Sequence, residues 1–176
     1  MLKVLFTGPE STGKTYLAQA MAQHFNAPWV PEFARTYLGQ IERPYQQTDL
    51  LEIARGQLQL EAMKAKEARE LLICDTGPIV MKIWSQVKYG NCHHWIENQV
   101  VQQHYDLYCL CNIDLPWTYD PLREHQSLKA RQDLYQRYKK ELQILKRPWV
   151  EISGNGTVRV HNSVKAIEAL LENKGN

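Results

Sequence analysis

Five short apolar runs punctuate the chain: Leu2–Phe6, Pro28–Val30, Leu71–Cys74, Leu107–Cys111 and Trp149–Ile152. They are too short for buried helices and dominated by leucine, valine, isoleucine and aromatic residues, which predicts buried strands. Between them the apolar positions recur at helical spacing. Leu17, Met21 and Phe25 follow the first run, Ile79, Val80, Ile83, Trp84 and Val87 follow the third, and Leu134, Tyr138, Leu142 and Leu145 precede the fifth. From Thr48 to about Arg69 the pattern predicts a longer helix, with Thr48 as its N-cap and Leu50, Ile53, Ala54, Leu58 and Met63 on its apolar positions. Strands alternating with helices predict an α/β fold, a five-stranded parallel sheet with helices on both faces. Ligands of such sheets bind at the carboxyl ends of the strands, so the residues just after each run are where chemistry is expected.

The chain has 176 residues and a net charge of +2. That length predicts one domain, residues 1–176, given that domains commonly span roughly 100–200 residues. No repeat, low-complexity tract or Gly/Ser linker divides it. No apolar run approaches the ~18 residues of a membrane span. Met1 to Thr7 lacks the features of a signal peptide, so the expectation is a cytoplasmic protein with no membrane contact. Cysteine usage agrees. Cys74, Cys109 and Cys111 lie in apolar stretches and no Cys-x-x-Cys pair occurs, while Cys92-His93-His94 reads as loop rather than as metal ligands. Charge is uneven: between Arg123 and Arg147 stand eight basic and three acidic residues, a local net of +5, leaving −3 for the remainder. A solvated helix face, a nucleic-acid patch and a phosphate-gripping lid all fit such a run.

The first run leads into Gly8-Pro9-Glu10-Ser11-Thr12-Gly13-Lys14-Thr15, a complete G-x-x-x-x-G-K-[ST], followed at once by a helical pattern. Glycines let the backbone wrap closely around phosphates, loop N–H groups and the helix N-terminus face them, Lys14 spans the β and γ oxygens, and the Thr15 hydroxyl binds Mg²⁺. A dinucleotide-binding reading fails for want of G-x-G-x-x-G. The guanine-reading Asn-Lys-x-Asp of GTPases is absent; Asn112-Ile113-Asp114 has the wrong spacing. Motor-like ATPases follow the aspartate of the third strand with a glutamate, whereas Asp75 here precedes Thr76 and Gly77. Kinases remain.

A small-molecule kinase needs a carboxylate at the acceptor, a metal-linked carboxylate and a basic lid that excludes water. Glu32, in Pro31-Glu32-Phe33-Ala34-Arg35 after the second run, is the candidate base. Asp75, ending the third run, is the candidate Mg²⁺ carboxylate alongside Thr15, although the two acidic roles are exchangeable. Arg123 opens the basic segment, so a lid over about 117–140 would carry it toward transferring charge beside Lys14. A Glu32–Arg35 surface pair, a structural cap at Asp75 and a solvated Arg123 are the competing readings.

With these residues in hand, the chain resembles the ribosylnicotinamide kinase domain of NadR-type proteins. The resemblance rests on the phosphate loop in its Glu-Ser-Thr-Gly-Lys form, Pro31-Glu32-Phe33-Ala34-Arg35, Ile73-Cys74-Asp75-Thr76, Trp84-Ser85 with Tyr89-Gly90, and Tyr105-Asp106-Leu107-Tyr108 through Asp114-Leu115-Pro116-Trp117 to Asp120 and Arg123. The pattern departs from the family at Gly77, Met81 and Pro121. The resemblance implies a P-loop nucleoside-kinase fold with a helical lid, ATP and Mg²⁺ as cofactors, and nicotinamide riboside as acceptor. It implies ATP contacts at Gly8, Glu10, Ser11, Thr12, Gly13, Lys14, Thr15 and Tyr16, and acceptor contacts at Glu32, Arg35, Asp75, Trp84 and Trp117.

The acceptor can also be weighed from the residues alone. A cationic ring on a neutral ribose calls for aromatic faces and carboxylates, and Phe33, Tyr37, Tyr45, Trp84, Tyr89, Trp117 and Tyr119 fall in segments following strands. A nucleoside monophosphate would call for arginines, and Arg35, Arg43 and Arg55 keep that alternative open. Gln57 is expected to be an exposed helix residue, with a reader of a carboxamide or base edge as the alternative, and Ser153–Gly156 to border adenine. A non-catalytic ATP-binding regulator is the remaining alternative. No nucleic-acid partner is expected.

Overall fold

The computed structural model describes residues 1–174. Its five strands are β1 (Leu2–Thr7), β2 (Trp29–Val30), β3 (Leu71–Asp75), β4 (Leu107–Cys111) and β5 (Trp149–Ile152). They form one parallel sheet in the order β2-β3-β1-β4-β5. Seven helices fill the connections among the described residues: α1 (Lys14–His24), α2 (Phe33–Leu38), α3 (Gln47–Ala65), α4 (Pro78–Tyr89), α5 (His94–Gln102), α6 (Leu128–Leu145) and α7 (Gly156–Lys174).

Strand side chains alternate between two cores, which explains why the runs are apolar at nearly every position. Leu2, Val4 and Phe6 of β1 join Leu71, Ile73, Cys109 and Cys111 under Leu17 and Met21 of α1 and Ile167 of α7. Leu5, Leu72, Cys74, Tyr108 and Leu110 point the other way, under Leu50 and Ile53 of α3, Ile79 and Ile83 of α4 and Leu134, Tyr138 and Leu142 of α6. The central strand β1, flanked by β3 and β4, therefore ends at the middle of the sheet's carboxyl edge, and the phosphate loop begins there.

Two sequence expectations shift. Helix α3 begins at Gln47, not after Thr48: Gln46 is the N-cap, its side chain and that of Asp49 forming a reciprocal capping box. Asp49 can close it because Arg43 and Tyr37 also hold its carboxylate. The basic run 123–147 divides at Ser127, the N-cap of α6, whose hydroxyl accepts from the Ala130 N–H. Beyond it Leu134, Tyr135, Tyr138 and Leu142 are buried, so Lys129, Arg137 and Lys140 are the solvated outer face of a helix packed on the sheet.

The four cysteines are free thiols, three of them buried. His93 caps α5 through Nδ1, which accepts from the Trp95 N–H. No group of three or more His, Cys, Asp or Glu side chains suited to a metal occurs among the described residues, and none of their helices is long and apolar enough to cross a membrane.

Candidate active site

The phosphate loop is built by backbone conformations that reverse sign along it. Gly8 has φ +129° and a Cβ there would lie 2.8 Å from the Cys111 carbonyl oxygen, so only glycine fits against β4. Ser11 (φ 56°) and Gly13 (φ 76°) also take positive φ, turning successive N–H groups toward one side in the manner of an anion-binding nest. Gly13 is the N-cap of α1 and places no side chain over the helix N-terminus, which leaves its N–H groups for a ligand. Within the loop the Thr12 hydroxyl donates to the Pro9 carbonyl (2.8 Å), and Lys14 Nζ reaches across to the same oxygen (2.7 Å).

Two buried arginines support this loop from below. Arg159 of α7 donates to the carbonyls of Thr12 (2.9 Å), Asn112 (2.8 Å) and Gly154 (2.9 Å) and to the Asp114 carboxylate. Arg131 of α6 donates to Leu115 (2.9 Å), Ile113 (3.3 Å) and Ser11 (3.5 Å) carbonyls. The sequence reading missed both as site residues. Arg131 carried a signal, since it falls on the apolar stripe of α6 three residues before Leu134. Arg159 carried none. Ser153–Gly156 is tied to this support through Asp114, which accepts from the Gly154 N–H, and does not line the cleft.

A cleft of about 520 Å³ opens over the loop. Its wall includes Gly8 through Tyr16, Glu32, Arg35, Trp84 and Arg123, so most of the expected site residues are brought together. Tyr16 stands at the rim, 62% exposed. An apolar end is formed by Leu38, Val80, Ile83, Trp84, Val87 and Leu122. Two expected residues are not on the wall. The Trp117 indole N–H is turned to the Glu10 carboxylate (3.4 Å), at the foot of the loop that follows β4. Asp75 lies behind the wall, fully buried at the end of β3, where its neighbour in the sheet is Phe6 of β1.

Asp75 is the electrostatic centre. Both carboxylate oxygens are buried without a hydrogen-bond partner, and Thr76 after it is held at φ 68°. Burial pushes its pKa up to about 6, the Glu32 carboxylate adds to the rise, and Thr15, Lys14 and Arg35 oppose it. An orphaned hard-oxygen donor beside Thr15 and a second carboxylate fits Mg²⁺, an ion that takes one or two protein carboxylates and completes its shell with phosphates and water.

Glu32 leaves β2 in extended conformation as the N-cap of α2 and pairs with Arg35 (3.1 Å). Arg35 also holds Asp120 (2.9 Å). The segment from Trp117 to His125 bends over the phosphate loop. Ser11 Oγ accepts from the Thr118 N–H (3.0 Å) and from Arg123 Nη1 (3.4 Å), and Arg123 also donates to the Thr118 carbonyl. Glu10 accepts the N–H groups of Glu124 (3.0 Å) and His125 (2.6 Å), with the His125 ring 3.6 Å away. Burial alone would raise the Glu10 pKa, but these hydrogen bonds bring it below the ordinary value, and the bond to Glu10 raises that of His125. At the far end Glu124 accepts from Tyr45 (2.7 Å) and Lys88 (2.6 Å).

A phosphate loop at the carboxyl edge of a β2-β3-β1-β4-β5 parallel sheet, with a buried strand-end aspartate beside it, defines the P-loop nucleoside- and nucleotide-kinase fold. The chain belongs to the AAA domain family, which matches residues 3–159. It is 30% identical over 124 residues to the trifunctional NAD biosynthesis/regulator protein NadR of Salmonella typhimurium, a match covering 68% of this chain and 30% of that protein. The chain thus spans about a third of the length of the curated relatives it matches. Among solved structures, a NadR protein in complex with NR superposes with a TM-score of 0.77 at 18% identity, covering 96% of this chain and 49% of the other. Thymidylate kinase from Ehrlichia chaffeensis follows at TM-score 0.67 and 12% identity, covering 96% and 98%.

Proposed function

We propose that this chain is an ATP-dependent kinase that phosphorylates the 5′-hydroxyl of nicotinamide riboside, giving nicotinamide mononucleotide. The observation that carries the reading is one cleft with the complete phosphate loop at one end, Glu32 and Arg123 on its wall, and an apolar, tryptophan-bearing end beyond them. The NadR likeness supplies the acceptor: the curated relative is named for NAD biosynthesis, and the solved relative was determined with NR.

ATP lies with its phosphates in the loop of Gly8–Thr15, Lys14 and the α1 N-terminus facing the γ-phosphoryl group. Thr15 and Asp75 would hold Mg²⁺, which would supply neutralisation of the phosphate charge. Glu32 takes the proton of the acceptor hydroxyl as its oxygen attacks the γ-phosphorus, the bond to the β–γ bridging oxygen breaks, and ADP leaves. That Glu32 lines the cleft while Asp75 lies behind its wall supports this division of roles. Arg123, brought in by the 117–127 segment of the lid, stabilises charge on the transferring group. Arg35 and Trp84 border the acceptor. Trp117 serves the lid through Glu10 rather than the acceptor directly.

A nucleoside monophosphate acceptor is less well served. Arg43 is engaged by Asp49 and Arg55 by Glu52, neither lines the cleft, and Arg35 is already shared between Glu32 and Asp120. Four free cysteines suit the reducing cytoplasm, where we place the protein. The test is ATP offered with a panel of nicotinamide riboside, ordinary nucleosides and nucleoside monophosphates, following ADP. Turnover with the riboside supports the reading, and no turnover on any member overturns it.

A further inference from the structure

Gln57, in the middle of α3, is 3% exposed and every polar group of its side chain is used. Oε1 accepts the Phe33 N–H (2.7 Å), while Nε2 donates to the Pro31 carbonyl (3.2 Å) and, more weakly, to the Asp75 carbonyl (3.5 Å). The partners determine the amide orientation, since an N–H can only donate and a carbonyl can only accept. One amide therefore grips the backbone on both sides of Glu32 and touches the strand end that carries Asp75.

The neighbouring residue completes the grip. A Cβ at Gly56 would lie 2.1 Å from Cε1 of Phe33, so the Phe33 ring lies against bare helix backbone. The segment needs such support because β2 has only two residues and its ladder to β3 ends at Val30. Without Gln57, Glu32 would hang between a two-residue strand and the six-residue helix α2.

We propose that Gln57 is a positioning residue for phosphoryl transfer, clamping Pro31 and Phe33 so that the Glu32 carboxylate keeps a set distance from Asp75 and the acceptor hydroxyl. It touches neither substrate nor metal and acts through Glu32. The inference rests on the kinase reading above for its catalytic consequence, but the clamp itself can be measured without turnover. Displacing a reacting group by ~1 Å costs on the order of 100-fold in rate, whereas ATP affinity, which the phosphate loop supplies, changes little with such a shift.

The experiment compares wild type with Gln57→Met, which keeps the length and loses every hydrogen bond, and with Gln57→Glu. The ionised carboxylate of the latter still accepts the Phe33 N–H but has no donor for the Pro31 and Asp75 carbonyls; protonation returns one donor. Expected are circular dichroism spectra of folded protein, ATP dissociation constants within about twofold of wild type, and kcat lower by about 10- to 100-fold with a smaller change in acceptor KM. A kcat lowered at unchanged ATP affinity is the split that a merely structural loss, which weakens binding and turnover together, does not produce. Hydrogen exchange at the Phe33 amide speeds up in Gln57→Met.

A kcat within twofold of wild type in both variants overturns the proposal, as does a loss matched by equally weakened ATP binding. If Gln57→Met fails to fold, Gln57→Glu carries the test through the same split between kcat and ATP affinity. If wild type phosphorylates no acceptor, the kinase reading fails separately, and unchanged exchange at Phe33 then overturns the clamp on its own.

Discussion

Replacing Asp75 by asparagine is expected to do two opposite things: end catalysis and stabilise the ligand-free fold. The carboxylate is fully buried with both oxygens unpartnered, and burial and the Glu32 charge raise its pKa from 3.8 to about 6. That rise corresponds to roughly 3 kcal/mol against the charged form at about 1.36 kcal/mol per pH unit. The folded state binds the proton more tightly than the unfolded chain, so the group contributes most favourably below pH 3.8, and stability is lost as pH rises toward about 6. Asparagine carries no charge and removes this dependence. Its advantage over wild type should grow by on the order of 1–1.5 kcal/mol between about pH 5 and about pH 7.5. In thermal unfolding that is a relative gain of about 2–6 °C for a chain of this size. Adding Mg²⁺ and ATP should raise the wild-type Tm more than that of the variant, because a bound cation relieves the same charge. A Tm difference that does not widen with pH would refute the reasoning, since it would mean that Asp75 has a partner in the folded state.

Why the site was partly legible follows from how far apart its members stand. The phosphate loop is a local object, eight consecutive residues whose turn, lysine and helix start are contiguous, and Asp75 is announced by the apolar run it ends. Glu32 and Arg123 could be named from their places after strands, because parallel topology brings such positions to one edge. Arg159 could not, and Arg131 only as a basic residue on an apolar stripe: their carbonyl partners on the phosphate loop, Thr12 and Ser11, lie 147 and 120 residues away, and a basic side chain in an amphipathic helix looks solvated until the loop it supports is in place. The burial of Gln57 is hidden for the same reason, its partners standing 24 and 26 positions earlier and meeting it only in the fold. The family resemblance implies an acceptor contact for Trp117, and only the path of the 117–125 segment shows that its indole is turned to Glu10.

Three further outcomes are expected. Glu32→Gln should lower kcat by about 100-fold or more while leaving ATP affinity within about twofold, as removal of a general base does; unchanged kcat would transfer the base role to Asp75. Gly8→Ala should abolish ATP binding and lower Tm, because its Cβ would press on the Cys111 carbonyl at a positive φ; a variant that binds ATP normally by calorimetry would contradict that geometry. The Glu10–His125 pair should hold the 117–125 segment best when His125 is protonated and Glu10 ionised. Its contribution is full below about pH 6.5 and is lost as pH rises through the raised His125 value, while acid below about pH 4.5 removes it from the Glu10 side. Partial exposure limits the effect to below about 1 kcal/mol, with Glu124 reinforcing and Lys88 opposing it. Hydrogen-exchange protection over that segment, taken relative to the intrinsic exchange rate at each pH, should therefore fall above neutral pH in wild type and not in His125→Ala; the same fall in the variant would refute the latch.

The central claim is most directly tested by following label from the γ-phosphate of ATP into nicotinamide riboside, in wild type and in Lys14→Ala. The account predicts labelled nicotinamide mononucleotide in a one-to-one ratio with ADP for wild type, and a folded Lys14→Ala protein that forms neither. Label released only as inorganic phosphate, or product formed equally well without Lys14, would contradict it.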